Sequence, residues 1–244
     1  VCAGIGRGQM TVLEDHIAHH KHVQQLYREL LKESLDEIFE TKYENMKDCI
    51  EAKLFGIGAE SYTVGSYDFY LGYGAKNGKI VTLDTGHCHL TESIADKVSA
   101  LLLFTPEIML HVSRPIRWDS DHVVIMNDDT LDLAKEIIRC DALDRVHIGL
   151  DYFDASINRI GAYVIGSRAT QKCLLQALLE PLQQLREYEA EDKGFERLAL
   201  LEEAKNLPWN AVWDMFCLRN GVPVGEEFIA DIQQYEAEVT SKRA

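Results

Sequence analysis

Four short apolar runs recur through the middle of the chain at roughly 30-residue spacing, and this repetition constrains the fold most. They are Cys49 to Gly58, Lys79 to Asp84, Glu107 to Val112, and the run opened by Arg145 that alternates through Leu150. Helical patterns separate the last three, over Thr91 to Leu103 and Thr130 to Cys140. Strand–helix alternation at this spacing predicts a parallel α/β arrangement, because parallel neighbours need a crossover too long for a hairpin. A further helix is predicted from Thr11 to about Glu40. From residue 155 to Ala244 the pattern is almost wholly helical, with breaks expected near Gly166, Pro181, Gly194, Pro208 and Gly221-Val-Pro223. Asn77-Gly78 reads as a turn.

Each strand carries an acid or a histidine at or just beyond its carboxyl end. The first has Glu51 and Lys53, two residues apart and so on one face. The second ends in Asp84-Thr-Gly-His87, and the third runs into His111. The fourth ends at Asp151, where active sites of barrels lie. Asp84 and His87 would face opposite sides of a regular strand and reach one site only through a bend, which Gly86 permits. After His111 the chain turns at Arg114-Pro115 and reaches Asp119 and Asp121. If that segment is extended, the two carboxylates project together. A single acid at a strand end is ordinarily just solvated; an acid or a histidine at four strand ends in succession is hard to ascribe to solvation.

The candidate ligands are therefore Glu51, Asp84, His87, His111, Asp119, Asp121 and Asp151, five carboxylates and two imidazoles without a thiolate. Hard oxygen donors with minority nitrogen favour Mn²⁺, Mg²⁺ or Co²⁺ over a structural zinc. Seven donors exceed what one ion normally takes, which makes two neighbouring ions the natural reading. Other candidates carry less. The histidines at 16, 19, 20 and 22 sit within two turns of the first helix, with nothing converging on them. Gly4 to Gly8 has no strand before it. The six cysteines are scattered without a Cys-x-x-Cys pair, as expected of free thiols in core positions.

Forty acidic residues against 25 basic ones give a formal charge of -15, a field that repels phosphate backbones and anionic membranes. Nucleic-acid binding and membrane insertion are not expected. The N-terminus shows no signal-peptide pattern.

Glu51-Ala-Lys-Leu-Phe-Gly-Ile-Gly58, Asp84-Thr-Gly-His-Cys-His89, His111 to His122 and Arg145 to Asn158 strongly resemble L-rhamnose isomerase. Leu207-Pro-Trp-Asn-Ala-Val-Trp213 and Gly221-Val-Pro-Val-Gly225 resemble it too. The resemblance covers about Lys32 to the C-terminus. It implies a TIM barrel, (β/α)8, here its C-terminal half over 32–165, and a helical C-terminal extension over 166–244. Residues 1–31 form a segment without family resemblance.

The resemblance further implies a cytoplasmic homotetramer that interconverts L-rhamnose and L-rhamnulose, with two divalent ions, commonly Mn²⁺, and Mg²⁺, Co²⁺ or Zn²⁺ as substitutes. By motif matching, Glu51, Asp84, His111 and Asp151 resemble the ligands of an inner, structural ion. His87, Asp119 and Asp121 resemble those of a second, catalytic one. Lys53 matches a lysine near the substrate oxygen at C1, and Asp151 would hold the water that manages the proton. Hydride shift and enediol routes both remain open. The family's first barrel strands have no counterpart here, and the chain starts at Val1. It is therefore expected to be a piece of a longer protein, poorly stable or inactive alone. Another sugar isomerase, a metal-dependent hydrolase or endonuclease on a similar barrel, and a non-catalytic piece serving subunit association are the competing readings.

Overall fold

The computed structural model describes residues 23–53, 62–154 and 156–243. Elements in chain order are α1 (Val23–Ile38), β1 (Cys49–Glu51), α2 (Tyr67–Asn77), β2 (Ile80–Asp84), α3 (Ala95–Leu101), β3 (Ile108–Val112), α4 (Asp128–Arg139), β4 (Val146–Leu150) and α5 (Arg159–Leu178). They continue with α6 (Leu182–Ala190), α7 (Gly194–Ala204), α8 (Trp209–Arg219), α9 (Phe228–Glu238) and a 3₁₀ turn at Thr240–Lys242. The chain divides into two compact units, one of residues 1–120 with 144–149, the other of 121–143 with 150–244.

The first unit holds a four-stranded sheet in the order β1-β2-β3-β4. β1 pairs with β2 in parallel, Glu51 opposite Thr82, and β2 with β3 in parallel, Asp84 opposite His111. Ile108 N–H donates to Arg145 O at 3.0 Å, joining β3 to the start of β4. Every residue of β2 is buried, as in a strand covered on both faces, whereas β3 alternates. Four parallel strands with β1 and β4 at the edges, among the described residues, are an α/β architecture consistent with part of a (β/α)8 barrel.

α2 is a helix that the sequence reading did not include. Two glycines and four aromatic residues give it weak helical propensity. Its ends specify it: Ser66 caps it by accepting from Phe69 N–H, and Asp68 lies in its first turn. Gly78 at φ 62° closes it with its own N–H on Gly74 O. Asn77-Gly78 is thus a helix terminus. Gly74 is where α2 lies on the sheet, since a Cβ there would meet Val81 Cγ2 at 2.4 Å. The observed α3 is shorter than the pattern from Thr91 to Leu103, beginning only at Ala95. Residues 11–22, with the clustered histidines, the glycines at 4 to 8, and 54–58 of the first apolar run lie outside the described residues.

The second unit is helical apart from the end of β4. Asn127 and Asn158 cap α4 and α5, accepting from Thr130 N–H at 3.1 Å and Gly161 N–H at 2.7 Å. Ala134, Cys173 and Ala177 let α4 and α5 approach closely, with Leu131, Ile138 and Leu174 packed around them. Arg139 forms a two-pronged bond to Glu180 at 2.8 and 2.7 Å.

The breaks expected at Pro181, Gly194, Pro208 and Gly221 to Pro223 separate α5 to α9. The break expected at Gly166 does not occur: α5 runs through it unbroken. Gly166 is there for packing. The Tyr152 ring lies against its Cα, its hydroxyl donating to Ala162 O at 2.9 Å, while Tyr163 stacks on Tyr152 at 5.1 Å. Among the described residues, no helix is long and apolar enough to cross a membrane.

Candidate metal centre

Parallel pairing brings the carboxyl ends of adjacent strands to one side of the sheet, and here those ends carry donors, with Asp84 directly opposite His111 and Glu51 two residues back, opposite Thr82. Glu51 ends β1, Asp84 ends β2 and His111 lies one residue before the end of β3. One donor atom from each falls within 4.8 Å of the others. His111 Nδ1 lies 3.2 Å from Glu51 Oε1 and 3.7 Å from Asp84 Oδ2. Ions of the Mn²⁺, Mg²⁺ or Zn²⁺ type hold donors at about 2.0–2.2 Å, so two donors sharing one ion commonly stand about 3–3.5 Å apart. The observed spacing and the mixed carboxylate–imidazole set fit such an ion.

The bend after β2 brings in His87. The Asp84–His87 turn is closed by His87 N–H donating to Asp84 O at 3.2 Å. It leaves the His87 ring 3.8 Å from both Glu51 Oε1 and Asp84 Oδ2, with Nε2 3.2 Å from Asp119 Oδ1. His87 thus lies beside Glu51 through Nδ1 and beside both Asp84 and Asp119 through Nε2.

Asp119 reaches it by a route the sequence did not suggest. The segment Asp119 to Asp121 is not extended, because Asp119 and Asp121 both have positive φ, 54° and 41°. Aspartate tolerates this left-handed conformation better than most residues. Ser120 Oγ tightens the loop by accepting from Ile116 and Arg117 N–H. Alternation therefore does not govern where these carboxylates point. Asp121 and Asp151 lie in the second unit, and Glu51, Asp84, His87, His111 and Asp119 in the first.

Electrostatics favours an ionised Asp84. Burial alone would push its carboxyl up. The hydrogen bond with His111, the charge of His87 and the Gly86 N–H at 2.6 Å outweigh this, and its pKa falls below the ordinary carboxylate value. Beside Asp84 and His87 opens a cleft of about 330 Å³, also walled by Lys53, Tyr67, Thr82 and Lys97. The Lys53 backbone N–H is bound to Gly65 O at 2.9 Å, which fixes the chain just past β1. Lys53 belongs to a motif legible in the sequence, whereas Tyr67 and Lys97, the latter paired with Glu92 at 3.1 Å, belong to none.

Comparison with known proteins gives a consistent result. The family model described as L-rhamnose isomerase (RhaA) matches residues 14–243, so the match takes in part of the segment 1–31 whose motifs carried no resemblance. The L-rhamnose isomerase of Bacteroides thetaiotaomicron is 76% identical over 217 residues, covering 89% of this chain and 52% of that protein. Those of Salmonella paratyphi B and Salmonella newport are each 54% identical over 219 residues, with the same coverage of 89% and 52%. The chain spans about half the length of the curated relatives it matches.

Proposed function

Since the chain belongs to the L-rhamnose isomerase family, we propose that the protein interconverts L-rhamnose and L-rhamnulose with the help of two divalent cations. The observation that carries this reading is the convergence of Glu51, Asp84 and His111 from three adjacent strand ends. In the proposed centre Glu51, Asp84, His111 and Asp151 hold an inner ion, and His87, Asp119 and Asp121 a second one. Mn²⁺ suits the donor chemistry, with Mg²⁺, Co²⁺ or Zn²⁺ as substitutes.

Aldose–ketose exchange breaks the C2–H bond and forms a C1–H bond, while the proton of the C2 hydroxyl passes to the C1 oxygen. Bound divalent ions supply Lewis acidity, polarising the carbonyl and lowering the hydroxyl pKa. The chain's own groups supply the rest. Lys53 donates to the oxygen at C1 and stabilises the charge that grows there. Asp151 holds a water that takes the proton from one oxygen and returns it to the other. His87 is held by Asp119 with its ring fixed toward the substrate side of Asp84. Phe195, Leu198 and Leu218 expose apolar surface on α7 and α8. We further propose that the protein works as a cytoplasmic homotetramer, with these exposed apolar faces as subunit contacts.

The test is ketose formation from L-rhamnose by the protein at the length of its relatives, after chelation and reloading with Mn²⁺. Activity should vanish with EDTA, return with Mn²⁺, and fall sharply in Glu51→Gln, which removes a charged donor. A Mn²⁺-loaded protein that leaves L-rhamnose untouched but isomerises another aldose would move the assignment to that sugar. One inert toward all aldoses would overturn it.

A further inference from the structure

Asp84 and His111 face each other on the last rung of the β2–β3 ladder. Beyond them two strands would normally part, yet here the pairing continues. Thr85 N–H donates to His111 O at 3.0 Å. The Thr85 hydroxyl then accepts from Ser113 N–H at 2.9 Å and donates to Ser113 O at 3.1 Å. One side-chain oxygen satisfies both backbone groups of a residue only 5% exposed, acting as an extra rung.

Gly86, the next residue, is used at both ends. Its N–H holds Asp84 Oδ1 at 2.6 Å, and its carbonyl accepts from Asp119 N–H at 2.9 Å. Asp119 in turn lies against His87. A two-residue turn thus sets the rotation of the Asp84 carboxylate, the spacing of β2 from β3 beyond the donors, and the seat of Asp119. Neither residue offers a donor of its own to the site.

We propose that Thr85 is a positioning residue of the metal centre, acting through its double hydrogen bond to Ser113. The proposal rests on the metal reading above. Valine has threonine's shape but cannot make either bond, and it would leave the Ser113 N–H and C=O buried without a partner. The two loops would separate to rehydrate them, carrying Gly86 and with it Asp84 and Asp119. Groups that orient metal ligands without touching the ion commonly change affinity by about 10–100-fold.

The experiment compares the intact chain with Thr85→Val and Thr85→Ser by calorimetric titration with Mn²⁺ alone and by the paramagnetic resonance spectrum of bound Mn²⁺. Metal-free melting is recorded in parallel, and titrations are run well below each melting point. Thr85→Val should bind Mn²⁺ about 10–100-fold more weakly with a broadened spectrum, and Thr85→Ser, which keeps the hydroxyl, should stay within about threefold of the parent. Thr85→Ala serves the same comparison if the valine variant does not fold. Unchanged affinity in the hydroxyl-less variant, whatever its melting point, would overturn the positioning role while leaving the metal reading intact. A parent chain that binds no Mn²⁺ would overturn both.

Discussion

Replacing Gly166 with alanine should destabilise the protein, although alanine is the better helix former. Three atoms of Tyr152 stand in the way: the ideal Cβ would lie 2.1 Å from the hydroxyl oxygen, 2.7 Å from Cζ and 2.9 Å from Cε1, where ordinary contact begins at 3.4 Å. Tyr152 is 3% exposed and stacked on Tyr163, whose own hydroxyl donates to Tyr152 O at 3.2 Å, so its ring cannot simply swing away. Overpacking of this kind costs about 1–3 kcal/mol, and losing the Tyr152 bond to Ala162 about 1 kcal/mol more. Better helix propensity returns about 1 kcal/mol. The net is a loss of about 2 kcal/mol, or a fall in Tm of roughly 4–8 °C for a chain of this size. Thermal melts followed by circular dichroism measure it, with Gly72→Ala as the control, because nothing lies within 4 Å of that site and the same change should stabilise. A double-mutant cycle sharpens the assay. In a Tyr152→Phe background the closest clash is gone, and Gly166→Ala should cost at least about 1 kcal/mol less. Additive effects, or a Gly166→Ala variant that melts at or above the parent, would refute the reasoning.

Three further outcomes are expected. Arg139→Met leaves Glu180, whose side chain is 4% exposed, with Lys135 at 3.9 Å as its remaining cationic partner among the described residues, and should cost about 3 kcal/mol in urea unfolding; adding Glu180→Leu should recover most of it. The Glu107 carboxyl is held below its usual value by its hydrogen bonds with Lys47 and with His147 at 2.5 Å. Its contribution is therefore present above the unfolded value near pH 4.3 and lost as pH falls through the lower folded value. Lys47→Met should cost about 1 kcal/mol or less at pH 7 and nothing at the acid end, so a constant difference across the pH series would contradict this. Burial pushes the Cys173 thiol up to about 11, whereas Cys49 is exposed. Iodoacetamide at pH 8 should modify Cys49 well before Cys173 in the native protein, as read by peptide mass mapping; equal rates would contradict the packing of α4 on α5.

β2, β3 and β4 were legible because their apolar runs are short and end in polar residues, and the helices of the second unit because proline and glycine mark their boundaries. α2 was not, since its apolar content is aromatic and interrupted by Gly72 and Gly74. The cap at Ser66 and the terminus at Gly78 were the signals that could have found it. Gly166 misled because propensity says nothing of a tyrosine ring arriving from outside the helix. The donors on β1, β2 and β3 could be read from strand ends alone, because parallel strands bring their carboxyl ends to one side of the sheet, with Glu51 two residues behind Asp84 in register. The approach of Asp119 to His87 could not, because it comes from a left-handed loop and a backbone bond to Gly86, and neither has a period. Thr85 was silent for a similar reason: one hydroxyl bridging two backbone groups leaves no pattern along a chain.

The placement of Glu51, Asp84 and His111 on consecutive strands also has a consequence for how the protein is made. Each donor follows the previous one after about thirty residues, and closing a loop of that length costs about 3 kcal/mol of chain entropy. All three precede the whole of the second unit in the order of synthesis. During translation they are therefore complete while most of the helical segments are still unmade. A cation captured at that stage would offset the closure cost and lock the register of β1, β2 and β3. The ion would then act as a folding template for the nascent sheet, before it serves any finished site.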